Sequence, residues 1–152
     1  QVPSLNAHFD AQSLSRTLAD SVNIGLALDS TDGLFVPVIH HAEKASATEL
    51  RECINRYKTQ VNDRSIASSD LQGSTITLSN FGVFAGRYAT PVITPPMVAI
   101  IAIGKLRQEP TVYQNQIVSH PILPVSLTFD HRAVTGGEAS RFLGALITQL
   151  SQ

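Results

Sequence analysis

Three successive side chains near the C-terminal end, Asp130-His131-Arg132, are the densest chemistry in the chain. They follow an apolar run containing Ile122, Leu123, Val125, Leu127 and Phe129, and a helical pattern begins just past Gly136-Gly137. His131 therefore stands where a strand leaves the core: the strand fixes the side chain and the turn exposes it, as catalytic groups require. An imidazole with an ordinary pKa of about 6.5 takes up and returns protons close to neutrality. The same triplet also suits a charged, solvated corner, and by itself it does not choose between the two. Other reactive residues read as structural. His40-His41, with Glu43 nearby, sit in a strand-like context where adjacent side chains point to opposite faces, so joint metal binding is not expected. Cys53 lies on the apolar stripe of a helix and reads as packing. Gly104-Lys105 lacks the upstream Gly and the following Ser/Thr of a phosphate-binding loop.

The elements that must position His131 can be read in order. Leu5 to Phe9 reads as a short strand, followed by a polar stretch, Asp10 to Ser15. Val22 to Leu28 and Leu34 to Ile39 are β-rich runs around Asp29-Ser-Thr-Asp-Gly33, which predicts a hairpin with Pro37 at an edge or bulge. Ser46-Ala-Thr-Glu49 is a capping box, and Leu50, Cys53, Ile54, Tyr57 and Val61 form one stripe of a helix ending near Asn62 or Asp63. Ser69 to Gly73 reads as a turn, and Thr75 to Ser79 alternates as a half-buried strand does. A loop follows through Tyr88, and Thr94-Pro95-Pro96 stops regular structure before the continuous apolar run Met97 to Ile103, a buried strand. Val112-Tyr113 and Ile117-Val118 flank Gln114-Asn115-Gln116 as a second hairpin, and Pro121 to Phe129 is expected to be the strand that delivers His131. The last helix carries Ala139, Phe142, Leu143, Leu146, Ile147 and Leu150 on one stripe, with Thr135 as N-cap and Glu138 completing a capping box.

With 152 residues, 43% of them hydrophobic and 15% charged, the chain fits one domain with a sizeable core and is no disordered segment. A formal net charge of −1 provides no general attraction to nucleic acid or anionic lipid. No apolar run reaches the roughly 18 residues of a membrane span. The low charged fraction suggests a surface partly covered by partners, and a single cysteine fits a reducing compartment.

Asp130-His131-Arg132-x-x-x-Gly136 resembles the signature of the catalytic core domain of dihydrolipoamide acyltransferases, the E2 components of 2-oxo acid dehydrogenase complexes. The family pattern is Asp-His-Arg-x-x-(Asp or Asn)-Gly; this chain departs from it at the sixth position, with Thr135. The resemblance extends in family order over Leu5-Asn6, Asn23-Ile24-Gly25, Gly33 to Ile39, Leu71-Gln72-Gly73, Thr77 to Gly82 and Pro95-Pro96-x-x-Ala99-Ile100. It implies an α/β (α+β) fold of the chloramphenicol acetyltransferase type, a two-layer sandwich with helices packed on a mixed sheet. The chain resembles the C-terminal part of such a domain, with the N-terminal part, the lipoyl domain and the subunit-binding domain expected upstream of Gln1.

The resemblance also implies a chemistry. His131 would be the general base that removes a proton from coenzyme A or dihydrolipoamide and returns it to the departing thiol. Ser79, 52 positions earlier, matches the family residue whose hydroxyl donates to the tetrahedral intermediate; alone it also suits a strand-end turn. Thr135 would replace a polar contact made by Asp or Asn in relatives. Asp130, Arg132 and Gly136 would shape the turn, and Asn80, Phe81, Gly82, Pro95 and Pro96 would line the substrate channel. The cofactor implied is a lipoyl group carried on a separate domain, with coenzyme A as substrate and no metal. The partners implied are two further copies in a trimer, trimers assembling into a cubic or dodecahedral core, and the E1 and E3 components, with no nucleic acid and no membrane. A bacterial cytoplasm is preferred to a mitochondrial matrix. The alternative is an E2-like scaffold with impaired catalysis, motivated by Thr135; a chloramphenicol-type enzyme is disfavoured by the Asp-His-Arg triplet and by Pro95-Pro96.

Overall fold

The computed structural model describes residues 1–84 and 86–151. After a 3₁₀ turn at Pro3–Leu5, strands β1 (Ala7–Asp10) and β2 (Ser15–Leu18) form a hairpin. Next come β3 (Ile24–Ser30), β4 (Gly33–Phe35), β5 (Val38–Ile39), helix α1 (Ala47–Asn62), β6 (Ile76–Asn80) and β7 (Ala99–Ile103). A second hairpin, β8 (Arg107–Tyr113) and β9 (Gln116–Ile122), leads to β10 (Val125–Phe129) and helix α2 (Gly136–Leu150). The central sheet runs β10-β7-β6-β3-β4, with β5 also on β3; β3, β6 and β7 are parallel and the rest antiparallel.

The two-residue side-chain period of a strand explains the layers. Leu26, Leu28, Ile76, Leu78, Leu127 and Phe129 share one face of the sheet, and both helices pack there. Ala139 and Phe142 of α2 meet Ile76, Leu127 and Phe129, while Ile54 and Val61 of α1 face Leu26, Leu28 and Leu78 across a cleft. This is the expected two-layer sandwich of mixed sheet and helices. The core centres on Leu5 and Val98, both fully buried, with Val134 just before α2. Both helices start at complete capping boxes, Ser46 with Glu49 and Thr135 with Glu138. The opposite face carries Ala27, Thr77, Ser79, Ala102, Ser126 and Thr128, with the larger Ile100 between Thr77 and Thr128. It is covered near Ser126 by the loop after β6, where the Ala89 amide donates to the Ser126 hydroxyl.

Several sequence expectations need correction. Pro121 to Phe129 is two strands, β9 and β10, broken at Leu123-Pro124: Pro124 has no N–H for a ladder, and its carbonyl instead accepts from Gly104. β10 is an edge strand, half-buried along its length. Thr75 to Ser79 does not alternate in burial; Thr75, Ile76 and Thr77 are all buried because β6 is central and covered on both faces. The segment Leu5 to Phe9 divides into a 3₁₀ turn and β1, and the polar stretch after it turns into β2, whose four residues are all exposed. The turn of the second hairpin is Gln114-Asn115, both with positive φ as a type I′ turn requires, and Gln116 already opens β9. The first hairpin forms as expected but with a shorter turn, since Asp29, Ser30 and Gly33 pair in the ladder and only Thr31-Asp32 turn; Pro37 separates β4 from β5 while its carbonyl accepts from Leu26.

Candidate active site

His131 follows β10 by two residues and is exposed. Its ring leans on Phe129, centroids 5.4 Å apart, and among the described residues it makes no hydrogen bond. The turn beneath it is over-determined. The Asp130 amide donates to the Val98 carbonyl at 2.8 Å, and the Asp130 carbonyl accepts from the amides of Ala133 and Val134. The Asp130 carboxylate accepts from the Arg132 amide at 3.0 Å and from Nε and Nη2 of its guanidinium, Nη2 at 2.6 Å. That guanidinium holds the Asp130 carboxyl below the ordinary carboxylate range, and Asp130 in turn raises the Arg132 pKa. Asp130 and Arg132 thus tie the turn together through these contacts. Gly136 opens α2, and a Cβ there would meet nothing within 4 Å, so its place is open to whatever approaches from outside.

Thr135 is fully engaged as N-cap. Its hydroxyl donates to Glu138 Oε2 at 2.8 Å and accepts from the Glu138 amide, while its own amide donates to the same carboxylate. These contacts, the Thr135 amide foremost and then its hydroxyl, with the Arg16 charge nearby, hold the Glu138 carboxyl at about 2.

Ser79 lies at the carboxyl end of β6 and faces away from the helices. It lines a cleft of about 360 Å³ with Ala27, Asp29, Leu34, Asn80, Phe81 and Phe84. Gly82 is buried in close packing: a Cβ on it would fall 2.3 Å from the backbone carbon of Gly104. Pro95 and Pro96 are exposed, joined by a cis peptide bond, and the Pro96 carbonyl accepts from Phe9. Ala85, within the loop that carries these residues, lies outside the described residues. His41 has a left-handed backbone and sits 3.7 Å from Glu43, and among the described residues no group of three or more His, Cys, Asp or Glu is placed to hold a metal ion.

Strand register fixes how Ser79 and His131 stand to each other. Ser79 lies opposite Ala102, and Ala102 opposite Ser126. Phe129 lies opposite Ala99, three residues or about 10 Å further along the strands, and His131 lies beyond it. The serine and the histidine thus occupy opposite ends of the sheet, two strands apart, with Ser79 on the face that carries no helix. One chain does not bring them together. Sequence reasoning missed the residues that grip the turn from outside, Phe9, Arg16 and Glu138 as an acceptor for Arg16; only the pairing of β1 with β2 exposes them.

The family model of the 2-oxoacid dehydrogenases acyltransferase catalytic domain matches residues 1–152. The chain belongs to that family. It is 40% identical over 134 residues to the dihydrolipoyllysine-residue acetyltransferase component of the pyruvate dehydrogenase complex of Staphylococcus epidermidis, covering 88% of this chain and 31% of that protein. Among solved structures it matches Azotobacter vinelandii dihydrolipoamide acetyltransferase with a TM-score of 0.89 and 29% identity, over 95% of this chain and 60% of that one. That work addresses a serine, a histidine and an asparagine in the catalytic mechanism; there the serine precedes the histidine by 52 positions and the asparagine follows it by 4. The cubic core of a pyruvate dehydrogenase multienzyme complex matches with a TM-score of 0.88 and 28% identity, over 94% of this chain and 59% of that one. Chloramphenicol acetyltransferase, at 14% identity and a TM-score of 0.55 over 92% of this chain and 66% of its own, shares the fold. The chain thus spans about a third of the length of its curated relative and three-fifths of the solved acyltransferase chains.

Proposed function

We propose that this acyltransferase domain moves an acyl group, acetyl as in the relatives named above, between a dihydrolipoyl thiol and coenzyme A. The observation that carries the reading is spacing: Ser79, His131 and Thr135 reproduce the separations of 52 and 4 positions between the serine, histidine and asparagine of the Azotobacter enzyme. In the mechanism, the neutral His131 imidazole takes the proton of the attacking thiol, and the thiolate adds to the thioester carbon. The Ser79 hydroxyl donates to the oxyanion so formed. Collapse expels the second sulfur, which leaves with the proton held by His131, so the imidazole ends neutral. A thiol of pKa about 8.5 facing an imidazole of about 6.5 makes the first transfer only modestly uphill, and no metal is needed.

Because Ser79 and His131 stand at opposite ends of one sheet, the pairing is between subunits: His131 of one copy meets Ser79 of the next across a trimer seam. Trimers would then build a hollow core, with the lipoyl group arriving on a separate domain and the E1 and E3 components binding elsewhere on the full-length protein. The bacterial relatives support a cytoplasmic location, and no helix among the described residues is long and apolar enough to cross a membrane.

One observation favours the second reading, a structural core with impaired catalysis: the Thr135 hydroxyl, at the asparagine's place, is taken up by the cap. Assaying the full-length protein with acetyl-coenzyme A and free dihydrolipoamide separates the two. Turnover lost in His131→Ala supports the enzyme; wild-type protein without turnover supports the scaffold.

A further inference from the structure

The two residues that follow His131 are each held from outside the turn, and both holds come from one cross-strand pair. Phe9 on β1 lies opposite Arg16 on β2, so their side chains leave the hairpin on the same face. The Arg132 guanidinium lies over the Phe9 ring, 4.7 Å from its centroid. Arg16 Nη1 donates to the Ala133 carbonyl and lies 3.5 Å from Glu138 Oε1. The turn's own hydrogen bonds converge on Asp130 and leave the Ala133 carbonyl to Arg16. The hairpin is itself anchored: the Phe9 amide donates to the Pro96 carbonyl at 2.8 Å, and a His8 ring nitrogen lies 2.8 Å from the Ser74 carbonyl. Since the His131 ring makes no hydrogen bond among the described residues, its direction depends on the backbone beneath it and on Phe129.

We propose that the β1–β2 hairpin is a clamp that positions His131, with Phe9 and Arg16 acting as one unit through Arg132 and Ala133. The proposal rests on the reading of His131 as the proton acceptor. Both residues are positioning residues, for neither touches the reacting atoms. A side chain displaced by about 1 Å from productive geometry loses up to roughly 10²-fold in rate, so a partly loosened turn should show in turnover rather than in substrate binding.

The test uses Phe9→Leu, Arg16→Gln, Arg16→Lys and the Phe9→Leu/Arg16→Gln double variant in the full-length assembled protein. Two readouts are taken: amide exchange of residues 130–135 by mass spectrometry, and kcat with KM for acetyl-coenzyme A and dihydrolipoamide. Each of Phe9→Leu and Arg16→Gln should speed exchange at Ala133 and Val134 about five-fold and lower kcat about ten-fold, with KM within about two-fold. The double variant should lie within about two-fold of the weaker single, because both residues hold the same turn, and Arg16→Lys should regain most of kcat. The clamp is refuted if both single variants keep kcat within two-fold of wild type, or if KM rises while kcat stays. His131→Ala runs alongside. If it keeps full kcat, the base assignment is wrong, whereas unchanged exchange in Phe9→Leu and Arg16→Gln refutes the clamp whatever His131 does.

Discussion

His131 owes its exposure to β10 ending at Phe129 and its stability to a carboxylate it never touches. Replacing it by Ala removes the proposed base but leaves Asp130, Arg132 and the buried Val134 in place. His131→Ala should therefore lower kcat by about 10²–10⁴-fold with the melting temperature unchanged, read from thioester turnover and thermal unfolding. Ser79→Ala, which takes one donor from the oxyanion, should lower kcat by about 10²–10³-fold. Glu138 supplies a prediction on pH. Its carboxyl is held at about 2 against an ordinary 4.5, so its contribution is complete above pH 4.5 and is lost as the pH falls toward 2. Glu138→Gln should accordingly lower stability at neutral pH and flatten this part of the acid limb, measured by chemical denaturation between pH 2 and 6. An unchanged acid limb would mean that the contacts with Thr135 and Arg16 do not persist in solution. At this scale the sequence was most informative: the family signature around Asp-His-Arg and both capping boxes were legible from neighbouring residues. Thr135 was legible as a cap, and its hydroxyl is spent there.

At the scale of elements, local rules carried the helices and failed where tertiary position decides. α1 and α2 announce themselves by apolar stripes behind capping residues, and Ser46→Ala should cost about 1 kcal/mol in equilibrium unfolding. β6 was misjudged because Thr75 and Thr77 look solvent-facing, yet Thr77 is buried against Met97, and Thr75, just before the strand, is buried against Asn6 and Asn23. β2 went unread because Ser-Arg-Thr-Leu carries little apolar signal, and with it went Phe9 and Arg16 as a pair. Gly82 shows the same limit. In sequence it reads only as a loop residue, and its packing against the backbone of Gly104, which cannot rotate aside, shows only in the fold. Gly82→Ala should destabilise by about 3 kcal/mol, the upper range for overpacking, and a cost under about 0.5 kcal/mol would show that the β6–β7 crossover adjusts freely.

For the whole molecule, strand order is the decisive fact, and it is not written in any one segment. The proposed mechanism puts Ser79 and His131 in the same chemistry; register holds them at opposite ends of a single chain's sheet. The proposal therefore requires a site shared between subunits. Mixing inactive His131→Ala and Ser79→Ala subunits, by co-expression of the full-length protein, tests this directly. In a cyclic trimer with random assembly, about a quarter of the seams should pair an intact His131 with an intact Ser79 from its neighbour, restoring about a quarter of wild-type turnover. Co-assembled particles with no more activity than either parent would contradict a site built from two subunits.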